Sequence, residues 1–456
     1  MNPLIFREYD IRGIADTELP DDEVFLLGRA FATYARRHGA DRCVLARDVR
    51  LSGPRIQRAV SDGIRASGLS VIDIGVVPTP VFYFSLFHLD TPAGLMVTAS
   101  HNPPKYNGFK VALDRTTIYG EEIQNLRRLL ESGKFDEGAG SLAETDVVPA
   151  YVAVLRSKVK VPSALDVVFD PGNGTAGILL ERLFAGTRVN PTYLNLEPDG
   201  NFPAHVPDPT VPRYVEQLIE MVRSRGANCG IGYDGDSDRI GAIDETGAMV
   251  YGDKLLGICA KEVIERKPGA KVVFEVKCSQ GLVEYLESLG GTPVMYKTGH
   301  SLIKAKMKEL DAPLAGEMSG HMFFRDEYYG YDDALYASLR LLRVIASSGR
   351  KLSELAAEIP KYYSTPEIRV SCPDELKFKV VDELREHFRK SHQVIDIDGA
   401  RVVFPDGWGL VRASNTGPVL VLRFEARTPE RLPEIRQEFY DLLARYPQVN
   451  LAESHA

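Results

Sequence analysis

The sequence contains no apolar run long enough to cross a membrane and no excess of positive charge. A membrane-spanning helix needs about 20 consecutive apolar residues. The 55 Lys and Arg are outnumbered by 63 Asp and Glu, which gives a formal net charge of -8. The charged residues Arg7 and Glu8 come too early for a secretory signal peptide. We therefore expect a cytoplasmic protein that binds neither a membrane nor nucleic acid.

Cysteine is scarce as well, and the sequence has no Cys-x-x-Cys pair. An odd number of scattered cysteines argues against a disulfide framework and against a thiolate zinc site. We therefore expect reduced cysteines that lie mostly in the core. The five are Cys43, Cys229, Cys259, Cys278 and Cys372.

What the sequence does contain is an alternation of short β-rich runs with amphipathic helical stretches. This alternation is typical of α/β layers. The pattern restarts twice, and the composition changes near Pro366. Three α/β units are therefore predicted, followed by a smaller α+β unit. Their predicted bounds are residues 1–150, 151–252, 253–365 and 366–456.

The same alternation predicts individual elements. Helices are expected over residues 21–38, 54–66, 81–87, 121–130, 176–183, 214–225, 254–265, 282–289, 302–310, 334–347, 375–389 and 429–446. Strands are expected over residues 43–46, 70–77, 93–97, 108–113, 166–170, 229–233, 271–276, 293–297 and 368–370, with several more between 394 and 424. Residues 245–247 predict a hairpin turn.

One serine stands out because it lies where a predicted strand gives way to a loop. Ser100 occurs in the segment TASHNP, directly after the apolar run 93–97. A serine there can be held open and aimed at a ligand, although most loop serines cap helices or form turns. Lys110 lies within reach of Ser100 along the chain and could stabilise a phosphoryl group, whereas a lone strand lysine is usually a surface residue.

Three carboxylates alternate in the loop after the predicted strand 229–233. Asp234, Asp236 and Asp238 repel one another unless a cation lies between them, and all-oxygen ligands suit Mg²⁺ or Ca²⁺. An EF-hand would place Glu245 at its twelfth position, but Arg239 stands where that motif needs glycine. The flanking residues also favour strands, so a metal loop of another kind is expected in preference to an EF-hand or a solvated acidic turn.

Two further loops carry polar groups suited to a phosphorylated sugar. The segment RASNTGP, which begins at Arg412, offers a guanidinium, two hydroxyls and an amide, which are the donors that a phosphate needs. In the segment GEMSGH, Glu317 and Ser319 could bind sugar hydroxyls, and His321 could titrate near neutral pH. Taken alone, the first segment is equally compatible with a polar hairpin turn, and the second with an ordinary strand end.

Together these loops predict phosphoryl transfer on a phosphorylated polyol, which depends mainly on positioning and charge neutralisation. The sequence has no Gly-x-x-x-x-Gly-Lys-Ser/Thr loop, which argues against a P-loop kinase. It has no Gly-x-Ser-x-Gly elbow, which argues against a serine hydrolase.

Five segments in this order resemble the α-D-phosphohexomutase family, over essentially the whole chain. They are YDIRG at 9–13, TASHNP at 98–103, DGDSDR at 234–239, GEMSGH at 316–321 and RASNTG at 412–417. The nearest branch resembles the bacterial phosphomannomutase/phosphoglucomutase group. The resemblance implies four domains around a central cleft, three of them mixed α/β with related sheets and the last a smaller α+β domain.

The resemblance also implies a mechanism. Ser100 would be carried as phosphoserine, and Mg²⁺ would be bound by Asp234, Asp236, Asp238 and a phosphoryl oxygen. Hexose 1-phosphate and hexose 6-phosphate would interconvert through a hexose 1,6-bisphosphate, with glucose 1,6-bisphosphate as intermediate and activator. The partners implied are small-molecule sugar phosphates, and the chain would be a monomer or a weak dimer.

Residue roles follow by position in the same family. Proton transfer and phosphoryl stabilisation would fall to Arg12, Lys110, His300 and His321. The residues that face the substrate would be Tyr9, Arg239, Lys277, Glu317 and Ser319. The phosphate that does not react would be bound by Arg412, Ser414, Asn415 and Thr416.

Three alternatives remain at this stage. A phosphoglucosamine mutase is the nearest, although Met318 stands where that branch commonly has Gln. A metal-assisted sugar-phosphate phosphatase could use Ser100 as nucleophile, but it would not need a second phosphate-binding loop. A sugar-phosphate sensor without activity would tolerate the loss of Ser100 or of a metal aspartate, and all of these are present.

Overall fold

The computed structural model describes residues 1–414 and 417–451. The chain divides into two compact units. Unit 1 comprises Met1–Cys259 and Ser319–Leu355, and unit 2 comprises Ala260–Met318 and the chain from Ala356 onward. Within the described ranges no helix is long and apolar enough to span a bilayer. All five cysteines lie in these ranges, are buried and form no disulfide, which confirms the expectation from their spacing.

The helices of the described residues follow the predicted alternation. They are α1 (Ala15–Glu18), α2 (Asp21–Arg37), α3 (Gly53–Ala66), α4 (Thr79–His88), α5 (Glu121–Ser132), α6 (Val148–Lys158), α7 (Leu180–Phe184), α8 (Glu216–Arg225), α9 (Gly252–Arg266), α10 (Gln280–Ser288), α11 (His300–Glu309), α12 (Ala334–Ser348), α13 (Leu352–Ala356), α14 (Asp374–Phe388) and α15 (Arg431–Leu443). Eleven of the twelve predicted helices are confirmed to within a few residues, whereas α1, α6 and α13 were not predicted.

Each of the predicted β-rich runs forms a strand, and the structure adds strands that were not predicted. In unit 1 they are β1 (Ile11–Ile14), β2 (Arg42–Arg47), β3 (Ser70–Val76), β4 (Ala93–Val97), β5 (Tyr106–Leu113), β6 (Thr116–Thr117), β7 (Leu142–Glu144), β8 (Leu165–Asp170), β9 (Val189–Tyr193), β10 (Cys229–Tyr233), β11 (Ile240–Asp244) and β12 (Met249–Val250). The later strands are β13 (Lys271–Glu275), β14 (Thr292–Tyr296), β15 (Leu314–Gly316), β16 (Met322–Phe324), β17 (Tyr363–Ser364), β18 (Ile368–Ser371), β19 (Gln393–Ile395), β20 (Ala400–Phe404), β21 (Gly407–Ala413) and β22 (Val419–Ala426).

One predicted helix is broken in the structure. Residues 176–183 were expected to be helical, but Thr175–Ile178 forms a 3-10 turn and only Leu180–Phe184 is α-helical. Within this turn Gly177 lies against a distant backbone segment, and a Cβ there would lie 1.9 Å from the carbonyl oxygen of Leu196. The helical spacing of apolar residues could not reveal this approach, because Leu196 belongs to a later part of the chain.

Unit 1 contains two sheets with parallel centres. The first has the order β1-β5-β4-β2-β3-β7, with β2, β3 and β4 parallel. The second has the order β12-β11-β10-β8-β9, with β8, β9 and β10 parallel. The antiparallel pair β11–β12 confirms the hairpin predicted at residues 245–247. The carboxyl ends of parallel strands are where ligand sites of open α/β sheets lie, and both Ser100 and Asp234 follow such ends.

The N-terminal segment returns to the first sheet. Strand β1 pairs antiparallel with β5, and Arg12 is opposite Gly108. Helices α2 and α3 cover one face of this sheet, with Val24, Phe31 and Val60 fully buried. Burial of each such side chain stabilises the fold by about 1.5–3 kcal/mol.

Helix α12 of unit 1 begins at a buried carboxylate. Asp333 is its N-cap and accepts a hydrogen bond from the Tyr336 amide at 2.8 Å. The hydroxyls of Tyr151 and Tyr328 also donate to this carboxylate, each at 2.9 Å. Burial raises the pKa of Asp333 to about 6, although these hydrogen bonds favour the charged form.

Unit 2 contains a small parallel group and an antiparallel sheet. Strand β13 is parallel to β14 and to β15. The antiparallel sheet has the order β17-β22-β21-β20-β19, and β18 also pairs with β22. Helices α14 and α15 contribute Val380 and Phe439 to the core of this sheet. The single tryptophan, Trp408, is buried with the Arg401 guanidinium 3.8 Å from its ring centre.

Candidate active site

The predicted site residues divide between the two units. In unit 1, Ser100 follows the carboxyl end of β4 and is only 3% exposed. Its φ of +50° lies in the left-handed region, which is uncommon for a residue with a side chain and often marks a functional site. Its hydroxyl donates to Asp234 Oδ2 at 2.6 Å and lies 3.0 Å from His101 Nδ1. The serine is therefore held against the acidic loop.

The acidic loop forms a compact group of oxygen ligands. One carboxylate oxygen each from Asp234, Asp236 and Asp238 lies within 4.8 Å of the others, and all three side chains are fully buried. Among the described residues, the Oδ1 atoms of Asp236 and Asp238 accept no hydrogen bond. Buried carboxylate oxygens normally have a partner, so this donor set fits a hard divalent cation. These three residues could hold a metal ion.

Glycine is required where the acidic loop meets the Ser100 loop. A Cβ at Gly235 would lie 2.6 Å from the backbone carbonyl oxygen of Ser100. Thr79, at the start of α4, binds the same loop. Its hydroxyl donates to the Asp236 carboxylate at 2.7 Å, and its amide donates to the Asp236 carbonyl at 2.8 Å. The acidic loop and the Ser100 loop therefore pack directly against each other.

The electrostatics of the acidic loop are uneven. Burial raises the pKa of Asp234 well above its usual value, and the charges of Asp236 and Asp238 raise it further. Burial also opposes the charge on Asp236, but the Lys110 ammonium and the Thr79 hydroxyl outweigh it and lower the pKa of that carboxyl. The loop thus combines one carboxylate that resists ionisation with one that is firmly ionised.

Lys110 is the cation that faces these carboxylates. It lies on β5, is 3% exposed, and forms ion pairs with Asp236 at 2.9 Å and with Asp238. Burial alone would lower the pKa of Lys110, but these two carboxylates raise it well above its usual value. The surface position that is usual for a lone strand lysine is therefore excluded.

His321 lies between the acidic loop and a carboxylate that the sequence analysis did not single out. Its Nδ1 is 3.1 Å from Asp332 Oδ2 and 3.6 Å from Asp238 Oδ1. Its Nε2 accepts a hydrogen bond from Arg239 Nε at 3.0 Å. Because an arginine can only donate, the imidazole proton belongs on Nδ1, where it faces Asp332. Ser319, two residues earlier, is partly exposed.

Arg12 reaches the Ser100 loop. Its Nη1 donates to Asn102 Oδ1 and its Nη2 to Asp10 Oδ2, both at 2.5 Å. Tyr9 is buried in the turn that precedes β1. Because β1 pairs with β5, the N-terminal segment folds back onto the first sheet. The sequence alone could not show this contact.

In unit 2, Glu317 and Lys277 are both buried, and each is held by its own partners. Glu317 is buried and accepts a hydrogen bond from the Gly299 amide at 2.6 Å. That amide precedes His300, a buried residue and the first of α11. Lys277 pairs with Glu367 at 2.9 Å and lies 3.5 Å from Glu275. Burial would lower the pKa of Lys277, but these two carboxylates raise it.

Arg412 is held by a carboxylate that also fixes the loop before α11. Its Nε donates to Asp398 Oδ2 at 3.0 Å, and the Thr298 amide donates to the same oxygen at 3.0 Å. Ser414 is buried at the end of β21, where its carbonyl accepts a hydrogen bond from Lys377 at 2.6 Å. Asn415 and Thr416 lie outside the described residues.

Several supporting residues were missed because they act through long-range contacts. They include Asp332 beside His321, Thr79 on the acidic loop, and Glu275 and Asp398 in unit 2. An acidic pair at residues 332–333 and an Asp-Gly turn at 398–399 are visible in the sequence. Neither pattern indicates which distant side chain it contacts.

Comparison with known proteins finds matches along nearly the whole chain. Four family models of phosphoglucomutase/phosphomannomutase match, with alpha/beta/alpha domain I at residues 3–137, domain II at 149–247, domain III at 251–363 and the C-terminal domain at 367–442. The chain belongs to the phosphoglucomutase/phosphomannomutase family. The fold class of three mixed α/β domains and a smaller C-terminal domain is thereby confirmed.

Relatives that match over nearly their full length support this family assignment. The chain is 42% identical over 440 residues to a phosphomannomutase/phosphoglucomutase of Pseudomonas aeruginosa, covering 96% of this chain and 95% of that protein. It is 42% identical over 450 residues to a phosphoglucomutase of Neisseria gonorrhoeae, covering 98% of each. A solved phosphoglucomutase/phosphomannomutase family protein of Burkholderia thailandensis superposes with a TM-score of 0.92 at 42% identity, covering 99% of each chain. The chain is a phosphosugar mutase, as the sequence predicted.

Proposed function

We propose that this mutase interconverts the 1- and 6-phosphates of glucose and mannose through a phosphoserine at Ser100. The observation that carries the proposal is the 2.6 Å hydrogen bond from the Ser100 hydroxyl to Asp234, inside a group of three buried carboxylates. This arrangement supports a nucleophilic oxygen beside a cation site, which is what phosphoryl transfer requires.

Two transfers complete the cycle. The O6 hydroxyl of a hexose 1-phosphate attacks the phosphorus of the phosphoserine and gives its proton to a basic group of the site, while the bond from phosphorus to Ser100 Oγ breaks and Oγ takes a proton. The resulting hexose 1,6-bisphosphate then turns over. Ser100 Oγ gives its proton to a basic group and attacks the C1 phosphate, the bond from phosphorus to O1 breaks, and O1 takes a proton. Hexose 6-phosphate leaves, and glucose 1,6-bisphosphate restores any enzyme that has lost its phosphoryl group.

We propose Mg²⁺ as the cation at the acidic loop. Asp234, Asp236 and Asp238 would hold it, together with a phosphoryl oxygen on Ser100. When bound, the ion neutralises charge on the transferring phosphoryl group. Lys110 adds a fixed positive charge beside Asp236 and Asp238.

The remaining roles divide by chemistry. Arg12, His321 and His300 are proposed to assist proton transfer and phosphoryl stabilisation alongside Lys110. Tyr9, Arg239, Lys277, Glu317 and Ser319 are proposed to bind the sugar phosphate. The phosphate that does not react is assigned to Arg412, Ser414, Asn415 and Thr416. The domain bounds at residues 150, 252 and 365 stay predictions. The central cleft and the oligomeric state, a monomer or weak dimer, stay predictions as well.

Intact mass spectrometry tests the proposal directly. The purified protein is charged with glucose 1,6-bisphosphate and then mixed with Mg²⁺ and glucose 1-phosphate, mannose 1-phosphate or glucosamine 6-phosphate. We expect one phosphoryl group on Ser100. In samples quenched with acid during turnover of the glucose and mannose 1-phosphates, part of the protein should have lost this group while the 6-phosphates form, and neither change should occur in EDTA. Discharge by glucosamine 6-phosphate alone would indicate a phosphoglucosamine mutase. Release of free phosphate would indicate a phosphatase, and a protein that stays unphosphorylated would contradict the mechanism.

Arg412→Ala is expected to weaken binding of glucose 1-phosphate and mannose 1-phosphate by a similar factor. The guanidinium would contact the phosphate and not the sugar, and loss of a charged hydrogen bond corresponds to about 10–100-fold in affinity. Steady-state KM values for both substrates measure this effect. Arg427→Ala is the matched control, because Arg427 is an exposed arginine of unit 2 paired with Glu284. A loss confined to one of the two sugars would contradict the assignment.

A further inference from the structure

Arg50 is a fully buried arginine that uses all five of its guanidinium hydrogens. Its Nε donates to Asp48 Oδ2 at 3.1 Å. Its two terminal nitrogens donate to four backbone carbonyls of the loop that carries Ser100. These are the carbonyls of Ser100 at 2.8 Å, Asn102 at 2.6 Å, Pro103 at 2.8 Å and Tyr106 at 3.0 Å.

Only arginine can satisfy such a set. A guanidinium presents five donors in a rigid plane, whereas a lysine ammonium presents three donors from one point. A buried carbonyl that loses its partner costs about 1–3 kcal/mol. The loop after β4 is therefore folded around the Arg50 side chain.

Asp48 and Arg50 together fix the backbone on both sides of Ser100. Thr98 Oγ1 accepts a hydrogen bond from the Ser100 amide at 2.9 Å and donates to Asp48 Oδ2 at 2.8 Å. Arg50 binds the Ser100 carbonyl, and its own amide donates to Asp48 Oδ1 at 2.9 Å. Ser100 has a φ of +50°, which a non-glycine residue keeps only when its surroundings fix it.

We propose that Arg50 is a positioning residue for phosphoryl transfer, which holds the backbone of Ser100 so that its Oγ is aimed at the acidic loop. This inference rests on the proposed role of Ser100 as the phosphoryl carrier. Arg50 itself touches neither substrate nor metal in this assignment. Its effect is on the direction of the Oγ–phosphorus bond, and a displacement of about 1 Å in such a geometry costs roughly 10²-fold in rate.

The test is the rate at which phosphoserine is discharged in a single turnover. Arg50→Lys is charged with glucose 1,6-bisphosphate, mixed with glucose 1-phosphate and Mg²⁺, and quenched with acid at successive early times. Intact mass then measures the loss of the phosphoryl group before Ser100 takes back the C1 phosphate. We expect the discharge rate to fall about 10–100-fold, while the KM for glucose 1-phosphate changes less than about threefold. A purely structural role would lower the thermal midpoint without this separation of rate from KM.

Arg340→Lys supplies the matched control. Arg340 is also a fully buried arginine of unit 1, and its guanidinium binds Asp326 at 2.8 and 3.0 Å. We expect Arg340→Lys to lower the thermal midpoint and to keep the parental discharge rate.

The outcomes separate this inference from the proposed function. If the parent protein is discharged normally and Arg50→Lys is discharged within about twofold of it, the positioning role is wrong and the function stands. If the parent never carries a phosphoryl group, both are wrong. If Arg50→Lys does not fold, Asp48→Asn decides, because it weakens the orientation of the guanidinium but keeps its charge. A parental discharge rate in Asp48→Asn would then overturn the inference.

Discussion

Ser100→Ala is expected to reduce turnover of glucose 1-phosphate by at least about 10³-fold. The substitution removes the oxygen that would carry the phosphoryl group, and no positioning or charge effect can replace a covalent acceptor. The variant loses the hydrogen bond to Asp234, but Thr79 and Lys110 still bind the acidic loop through Asp236, so we expect the loop to stay in place. The measurement is kcat with saturating Mg²⁺ and glucose 1,6-bisphosphate, alongside intact mass to confirm that no phosphoryl group is retained.

Ser61→Ala is the control for this variant. Ser61 is a buried serine of α3, and its hydroxyl has no hydrogen-bond partner among the described residues. We expect it to keep the parental kcat. Retention of more than about a tenth of the activity in Ser100→Ala would contradict the phosphoserine mechanism.

Asp333→Ala is expected to destabilise unit 1 by about 3–5 kcal/mol. The variant loses the N-cap of α12, worth ~1 kcal/mol, and leaves the buried Tyr151 hydroxyl without this acceptor at ~1–3 kcal/mol. The Tyr328 hydroxyl keeps its contact with Tyr331 and loses one hydrogen bond, worth ~1 kcal/mol. The urea midpoint followed by far-UV circular dichroism measures the loss. The fluorescence of Trp408 reports on unit 2, because the single tryptophan lies there. An unchanged midpoint would show that the Tyr151 and Tyr328 contacts do not support the fold.

Asp333→Asn separates the charge of this side chain from its hydrogen bonds. An amide still accepts the Tyr336 amide and one hydroxyl, so we expect a smaller loss than in Asp333→Ala. The pKa of Asp333 is raised to about 6 by burial, so the folded state holds this proton more tightly than the unfolded chain. The resulting stability is complete below about pH 4 and is lost as pH rises through about 6. The difference between Asp333→Asn and the parent should therefore shift in favour of the variant from pH 4 to pH 7.

The acidic loop could be read from the sequence because its information is local. Asp234, Asp236 and Asp238 are separated by single residues after a strand, and like charges so close together indicate a cation whatever the rest of the fold. Helices such as α2 were equally predictable, since a 3.6-residue apolar period fixes the buried face. The order of the five loop segments in the sequence then indicated the protein family.

The supporting contacts could not be read because sequence separation hides them. Arg50 binds carbonyls about fifty residues later in the chain, and backbone acceptors carry no sequence signature. The Asp332–His321 pair depends on how the chain between β16 and α12 folds back, since Asp332 forms a bridge with Phe323 of β16. The sequence also left the placement of Lys110 open, since a lone lysine on a strand is usually exposed, and only the fold shows the two carboxylates that allow its burial.

The buried cysteines have a practical consequence for studying the protein. Cys43, Cys229 and Cys259 lie in unit 1, and Cys278 and Cys372 lie in unit 2. Because none is at the surface, a thiol-specific reagent finds no target in the folded chain. Each thiol that becomes reactive marks the opening of its own unit, so the protein carries a built-in set of labels for local unfolding. Alkylation followed by peptide mapping would read unit 1 and unit 2 separately in one sample, without any engineered probe.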